Sequence, residues 1–188
     1  MRKLTIILIN LFVVATVSSG QTDISKPPDY TITVKHEFRG SEKTSLMQLE
    51  RMYLANPVVK SEPMGLGSLY AFDEMHGLVT IATISFYSSA KKCLFTDRPT
   101  VDLVVDGETI SVSGELEAAA RGEGGTFTFP QIEEGMCNDA IDLILPKLKY
   151  LKIANAKRHI KVRTGKLSFE LNKNHLAALN EMAQRMPK

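Results

Sequence analysis

Apolar and polar residues alternate along several short stretches of this chain. Residues 30–38, for example, place Ile32, Val34 and Phe38 on one side and Thr or charged side chains on the other. A period of two is typical of a β-strand with one buried face. Alternation or a compact run of β-forming residues also predicts strands over residues 69–75, 78–87, 101–105, 109–113, 126–129, 141–145, 160–163 and 167–171.

Tight turns join three pairs of these strands. The turns contain His76-Gly77, Asp106-Gly107 and Thr164-Gly165-Lys166. Glycine supplies the positive φ that such turns need, and strands joined in this way are antiparallel. The last hairpin should bury Ile160, Val162, Leu167, Phe169 and Leu171 on one face, because a slip of one residue would turn the whole set to solvent.

Two stretches near the C-terminus have a helical pattern. Pro146 suits a first helical turn, and residues 147–155 are predicted to form a short helix that buries Leu148 and Leu151, with Ile153 as a further candidate. Asn172 is a suitable N-cap for a closing helix. The apolar stripe of that helix would be Leu176, Leu179, Met182 and Met186.

The region between the first two predicted strands is less regular. Leu46, Leu49, Met52 and Tyr53 recur at helical spacing, which predicts a helix over residues 41–56. Residues 58–68 contain Pro63 and two glycines and are predicted to be a loop. Residues 115–121 suit either a short helix or part of a hairpin loop.

This order of elements predicts an α+β fold, with a mainly antiparallel sheet and the two C-terminal helices packed on one face. A β-sandwich with a helical appendage is the alternative. Parallel α/β folds are disfavoured because the strands follow one another through tight turns rather than long crossovers.

The N-terminus has the pattern of a secretory signal peptide. Arg2 and Lys3 precede an apolar run over residues 4–17, and small residues follow at positions 18–20. We predict a signal peptide over residues 1–20, a flexible arm over residues 21–29 and one domain over residues 30–188. A retained membrane anchor is the alternative, but the run is shorter than the roughly 20 residues that a spanning helix needs. The predicted location is periplasmic or extracellular.

The two cysteines of an exported chain are expected to pair. Disulfides persist in oxidising compartments, so we predict a bridge between Cys93 and Cys137. Two buried free thiols are the alternative, because spacing alone does not fix the distance between them.

Charge argues against a nucleic-acid partner. The net charge of +2 comes from Arg2 and Lys3, so the chain without residues 1–20 is close to neutral. Polyanion binding calls for a clear basic excess. A basic stretch is present, but only one aromatic residue lies within it, and we interpret it as solvated side chains. Its members are Lys147, Lys149, Lys152, Lys157, Arg158, Lys161 and Arg163.

Motifs for catalysis, nucleotide binding or structural zinc are incomplete or absent from the sequence. The nearest constellation is His36, Glu74 and His76, which would form a three-ligand metal site if two strands brought them together. A polar strand end at a turn is the simpler interpretation. His159 and His175 are expected to be solvated, and no cofactor is predicted.

The C-terminal third contains an alanine-rich helix end over residues 150–157, a hairpin with Gly165 and Phe169-Glu170-Leu171, and a helix with Ala177-Ala178-Leu179. This arrangement resembles the tail of small exported bacterial proteins of uncharacterised function. The resemblance covers about a fifth of the chain. It implies a bacterial envelope or secreted protein and no particular activity.

Two functions from different classes remain open. The first is a non-catalytic exported module that binds another envelope component or a small ligand through its sheet face or loops. The second is an exported hydrolase or metal-binding enzyme that uses His36, Glu74 and His76. The second function requires these three side chains to converge in a concave site, whereas the first does not.

Overall fold

The computed structural model describes residues 30–187 apart from 40–41, 59–61, 76–77, 96–98, 114–123 and 134. The predicted signal peptide and arm, and the whole of the ambiguous segment 115–121, lie outside these residues. The described strands are β1 (Ile32–Arg39), β2 (Glu42–Leu54), β3 (Met64–Asp73), β4 (Leu78–Ala90), β5 (Val101–Val105), β6 (Glu108–Val112), β7 (Gly125–Glu133), β8 (Met136–Leu145), β9 (Ile160–Thr164) and β10 (Leu167–Leu171). The described helices are α1 (Lys147–Ala154) and α2 (Lys173–Gln184).

The described strands form two sheets in which every pairing is antiparallel. The large sheet has the order β1-β2-β3-β4-β8-β7, and the small sheet has the order β10-β9-β5-β6. The predicted α+β class with mainly antiparallel strands is confirmed. The division into two sheets did not follow from the sequence, because a tight turn specifies only the pairing of the two strands that it joins.

One face of the large sheet is buried, and we call it the covered face. Cross-strand register places Leu66 beside Phe86 on this face, and both are fully buried. The ring of Phe86 stands edge-on to that of Phe169 from the small sheet, with centroids 5.2 Å apart. On the same face the hydroxyl of Ser68 lies 2.8 Å from the hydroxyl of Tyr150 on α1. The core therefore lies between the large sheet, the small sheet and α1.

The closing hairpin and helix match their prediction. Phe169 pairs with Val162 and Leu171 pairs with Ile160, while Lys161 lies on the opposite face. The apolar stripe of α2 is buried at Leu176, Leu179, Met182 and Met186.

The Asp106-Gly107 turn holds the small sheet to the connection that precedes β9. Both residues have positive φ, 50° and 99°. The Asp106 carboxylate accepts the backbone N–H groups of Lys157, Arg158 and His159 at 2.7, 2.8 and 3.2 Å. These hydrogen bonds, that of Lys157 foremost, hold the pKa of Asp106 below its usual range.

The predicted helix over residues 41–56 is wrong, because this segment is β2. The strand register shifts between Leu49 and Met52. Such an irregularity inserts extra residues into one strand, so the apolar residues on either side of it are three positions apart instead of two. That spacing resembles one turn of a helix. The predicted loop over residues 58–68 is also too long, since β3 begins at Met64.

Helix α1 is present as predicted but rotated. Ile153, the further candidate, is fully buried, but Leu148, expected in the core, is 80 % exposed, and Tyr150 is fully buried instead. The hydrogen bond between Tyr150 and Ser68 accounts for this orientation, because it points the tyrosine side of the helix at the sheet. Neither described helix is both long and apolar enough to cross a membrane.

His175 was expected to be solvated, and this expectation is wrong. The side chain is 3 % exposed at the start of α2. Its Nδ1 accepts the backbone N–H of Asn172 at 3.1 Å, and its Nε2 lies 2.8 Å from the carbonyl oxygen of Tyr53, to which it donates. Asn172 caps the helix by accepting from the N–H groups of Asn174 and His175. Burial lowers the pKa of His175.

Candidate functional site

The second face of the large sheet, which we call the open face, carries a line of aromatic residues. The register links, from β2 through β3, β4 and β8 to β7, the residues Tyr53, Gly65, Tyr87, Ala140 and Phe129. Paired residues of antiparallel strands point to the same side, so these five form one line, the aromatic row. Tyr53 is 68 % exposed, Phe129 is 51 % exposed and Tyr87 is half-buried.

Two glycines of β3 allow Arg51 and Tyr87 to lie flat on the open face. A Cβ atom at Gly65 would lie 2.5 Å from Nε of Arg51, and one at Gly67 would lie 2.9 Å from the ring of Tyr87. Both distances are shorter than van der Waals contact, so a larger residue would push these side chains outward. The guanidinium carbon of Arg51 is 5.4 Å from the centroid of the Tyr87 ring, which is within cation–π range.

A half-buried carboxylate lies next to the aromatic row. The neighbouring row of the open face consists of Gly67, Ser85, Asp142 and Phe127. Burial raises the pKa of Asp142, and a hydrogen bond with the Ser85 side chain partly opposes this shift. No cation in the described part of the chain forms a salt bridge with Asp142. Desolvated carboxylates of this kind are concentrated at functional sites.

A shallow depression of about 570 Å³ continues the open face towards the turn between β7 and β8. It is lined by Ser89, Glu133, Met136 and Asn138. Ser89 pairs with Asn138 in the register, and its hydroxyl donates to the Asn138 amide oxygen at 2.7 Å. The aromatic row is therefore flanked by Asp142 and Ser85 on one side and by Ser89 and Asn138 on the other.

Two of the three residues predicted as a metal site lie together, on the covered side of the sheet. Nδ1 of His36 is 3.2 Å from Oε1 of Glu74 and 2.6 Å from the Ser45 hydroxyl. Ser45 donates to Glu74, and Nζ of Lys43 is 2.7 Å from the other oxygen of that carboxylate. Hydrogen bonds from Lys43 and Ser45 lower the pKa of Glu74. His76 lies outside the described residues.

The arrangement of His36, Ser45 and Glu74 differs from a hydrolytic triad. In a triad one ring nitrogen contacts the serine and the other contacts the carboxylate, so that the ring can pass a proton between them. Here Nδ1 contacts both groups, and the serine donates directly to the carboxylate. A metal ion would also compete with the Lys43 ammonium for Glu74. The geometry suits an ion-pair link between β1, β2 and the turn after β3.

A disulfide joins Cys93 to Cys137, with the sulfur atoms 2.05 Å apart, in agreement with the sequence prediction. Asp139 completes a cluster whose three potential ligand atoms lie within 4.8 Å of one another, but the disulfide bond already uses both sulfur atoms. The Asp139 carboxylate accepts hydrogen bonds from the Ser88 hydroxyl and, at 2.8 Å, from the N–H of Phe95. This group holds the segment after β4 against β8.

Several cations of the C-terminal basic stretch have acidic neighbours. Lys152 is 2.6 Å from Glu108, and Lys161 is 3.9 Å from Glu170. Arg163 pairs with Asp102 in the register of the small sheet. Charges of opposite sign therefore alternate on the outer face of that sheet.

Comparisons of this chain with protein-family models, with curated proteins and with solved structures find no match. The functional argument therefore rests on the geometry of the site. Sequence analysis missed Tyr53, Tyr87 and Phe129 because they lie on strands far apart in the chain. Their alignment depends on cross-strand register, which no local pattern contains.

Proposed function

We propose that this chain is an exported, non-catalytic binding module whose open face holds its ligand, a small molecule or another envelope component. The observation that carries the proposal is the aromatic row. Aromatic side chains left in water forgo the roughly 25 cal/mol per Å² that burial contributes. Tyrosine and phenylalanine so placed are typical of surfaces that become buried on binding.

We also infer that the small sheet and both helices cover the same face of the large sheet. Tyr150 of α1 and Phe169 of the small sheet both contact the covered face. Helix α2 contacts β2, β3 and β10, and its buried stripe belongs to the common core. This arrangement leaves the open face as the side from which a ligand approaches.

The non-catalytic part of the proposal rests on the His36 group. Its serine donates to the Glu74 carboxylate, which Lys43 also binds, and Nδ1 of His36 contacts both groups, so the ring is not placed to relay a proton between serine and carboxylate as in a triad. An exported hydrolase or metal-binding enzyme would require His76 to complete the site and Lys43 to move away.

Export rests on the signal-peptide pattern of residues 1–20, and the disulfide is compatible with it. The resemblance of the C-terminal region to exported bacterial proteins points in the same direction. We therefore place the working protein in the periplasm or outside a bacterial cell.

Site-specific photocrosslinking in intact cells tests the binding face. A photoreactive phenylalanine analogue would replace Tyr53 or Phe129 on the open face, and Arg163 on the outer face of the small sheet as the matched exposed control. We expect adducts from positions 53 and 129 and none from position 163. Equal labelling at all three positions, or none at 53 and 129, would overturn the proposal.

A further inference from the structure

The aromatic row has a regular spacing. Its three rings lie on β2, β4 and β7, and each is separated from the next by one strand that contributes only Gly65 or Ala140. Adjacent strands are about 4.8 Å apart, so the backbone positions of Tyr53, Tyr87 and Phe129 are about 10 Å apart along a line across the strands. Ala140 adds only a methyl group between Tyr87 and Phe129, while the side chain of Arg51 lies over Gly65 between Tyr53 and Tyr87.

We propose that the open face binds a neutral, β-linked glycan chain that lies across the strands along the aromatic row. This inference rests on the proposed function and names its ligand class. An extended β-1,4-linked chain repeats every two pyranose rings, and the length of that disaccharide repeat matches the backbone spacing of the three aromatic positions. Alternate sugar rings would stack their C–H faces on Tyr53, Tyr87 and Phe129, as apolar groups do on aromatic faces.

The polar groups beside the row suit sugar hydroxyls. Arg51 lies between Tyr53 and Tyr87 and offers guanidinium donors, while Asp142 offers a half-buried acceptor next to Ala140. Ser89 and Asn138 provide a hydroxyl and an amide on the other side of the row. Hydroxyls both donate and accept, so a ligand rich in them can use all four groups.

Charge and edge structure favour a glycan over other extended ligands. Arg51 and Asp142 balance one another, whereas a nucleic acid calls for several cations to neutralise its phosphates. A peptide that added a strand beside β7 would meet Pro130, which lacks an N–H group and interrupts the hydrogen-bonding row of this edge strand. Phe129 packs on Phe127, with ring centroids 4.6 Å apart, but small and polar residues separate this pair from Tyr87 and Tyr53, so the rings are not gathered into the apolar centre of a protein interface.

Binding of cellohexaose and chitohexaose to the exported full-length protein, measured by isothermal titration calorimetry, tests the inference. We expect at least one hexasaccharide to bind, and its disaccharide to bind at least about tenfold more weakly, because two rings reach only one or two of the aromatic side chains. Tyr53→Ala, Tyr87→Ala and Phe129→Ala should each weaken binding about tenfold or more. Leu148→Ala, which removes an 80 % exposed apolar side chain from α1, is the matched control and should leave binding unchanged.

Thermal unfolding of each variant verifies that it is folded. Absence of binding to both hexasaccharides, or binding that survives the triple substitution of the three aromatic residues, would overturn the inference. If the hexasaccharides fail while position 53 still forms crosslinks in cells, the glycan assignment falls and the proposed binding face stands. If both fail, the proposed function falls as well.

Discussion

The two faces of the large sheet are built from the same strands, yet they use neighbouring residues for different purposes. Phe86 is fully buried on the covered face, and the next residue, Tyr87, is half-buried on the open face. Ile141 and Asp142 repeat this contrast on β8. Because side chains alternate between faces, the position of a residue along its strand decides whether a substitution changes stability or binding.

The largest expected effect comes from comparing two phenylalanines, one buried in the core and one half-exposed on the open face. Phe169→Ala removes a buried ring that packs on Phe86, and it should lower the free energy of unfolding by about 3 to 5 kcal/mol. Phe129→Ala removes a half-exposed ring from the open face and should cost less than about 1 kcal/mol. Urea denaturation measures both. Equal losses would show that the two faces do not differ as described.

The second prediction concerns the link that holds α2 to the edge of β2. His175→Ala leaves the Asn172 N–H and the Tyr53 carbonyl without their partner, and should cost about 1 to 3 kcal/mol at pH 7. His159→Ala, at an exposed position, is the control and should cost little.

The same histidine gives a pH dependence with a defined sign. Burial lowers the pKa of His175 in the folded protein, so the unfolded chain binds a proton first as the pH falls. Its contribution to stability is present above the unfolded pKa of about 6.5 and is lost as the pH falls through the folded pKa. The stability difference between the native protein and His175→Ala should therefore narrow on acidification. A difference that stays constant between neutral and acidic pH would contradict the buried, neutral ring.

The smallest expected effect on the free energy of unfolding comes from Asp142 on the open face. Burial raises the pKa of Asp142, so the folded state favours its protonated form. That contribution is present below the unfolded pKa of about 3.9 and is lost as the pH rises through the folded pKa. Asp142→Asn removes the charge and should raise the free energy of unfolding slightly at pH 7, with the gain disappearing in acid. Asp102→Asn on the small sheet is the control, and a loss of stability in Asp142→Asn at pH 7 would refute the argument.

Local sequence signals were sufficient to predict elements formed by residues that are close together in the chain, such as a turn and the two strands that it joins. The hairpins at Asp106-Gly107 and Gly165 follow from glycine and alternation, and α2 follows from Asn172 and its apolar stripe. Pairing of the cysteines was predicted from the expected export of the chain, and the structure contains the bond. Each of these predictions depends on a few neighbouring residues or on one general property of the chain.

Other features depended on contacts that are distant in the sequence. The spacing of Leu49 and Met52 arises from the register shift between them, whereas Leu46 and Leu49 lie on opposite faces of the strand, and only the partner strand makes this visible. Gly65 and Gly67 suggested a loop, but both lie in β3. Arg51 and Tyr87 occupy the space that larger side chains at these positions would need. The aromatic row has the same origin, since its members come from three separate strands. Local patterns therefore predicted the elements, while cross-strand register produced the candidate site.

The connectivity of the small sheet has a consequence for how the chain folds. Its two hairpins, β5–β6 and β9–β10, are separated in sequence by β7, β8 and α1, which belong elsewhere in the fold. Pairing of β5 with β9 must therefore close a long loop, and the entropy lost in closing it precedes most of the stabilising contacts. A chain ending before β9 would lack half of the small sheet and leave Phe86 uncovered. Folding is completed only when α2 is available as well, because its apolar stripe belongs to the common core.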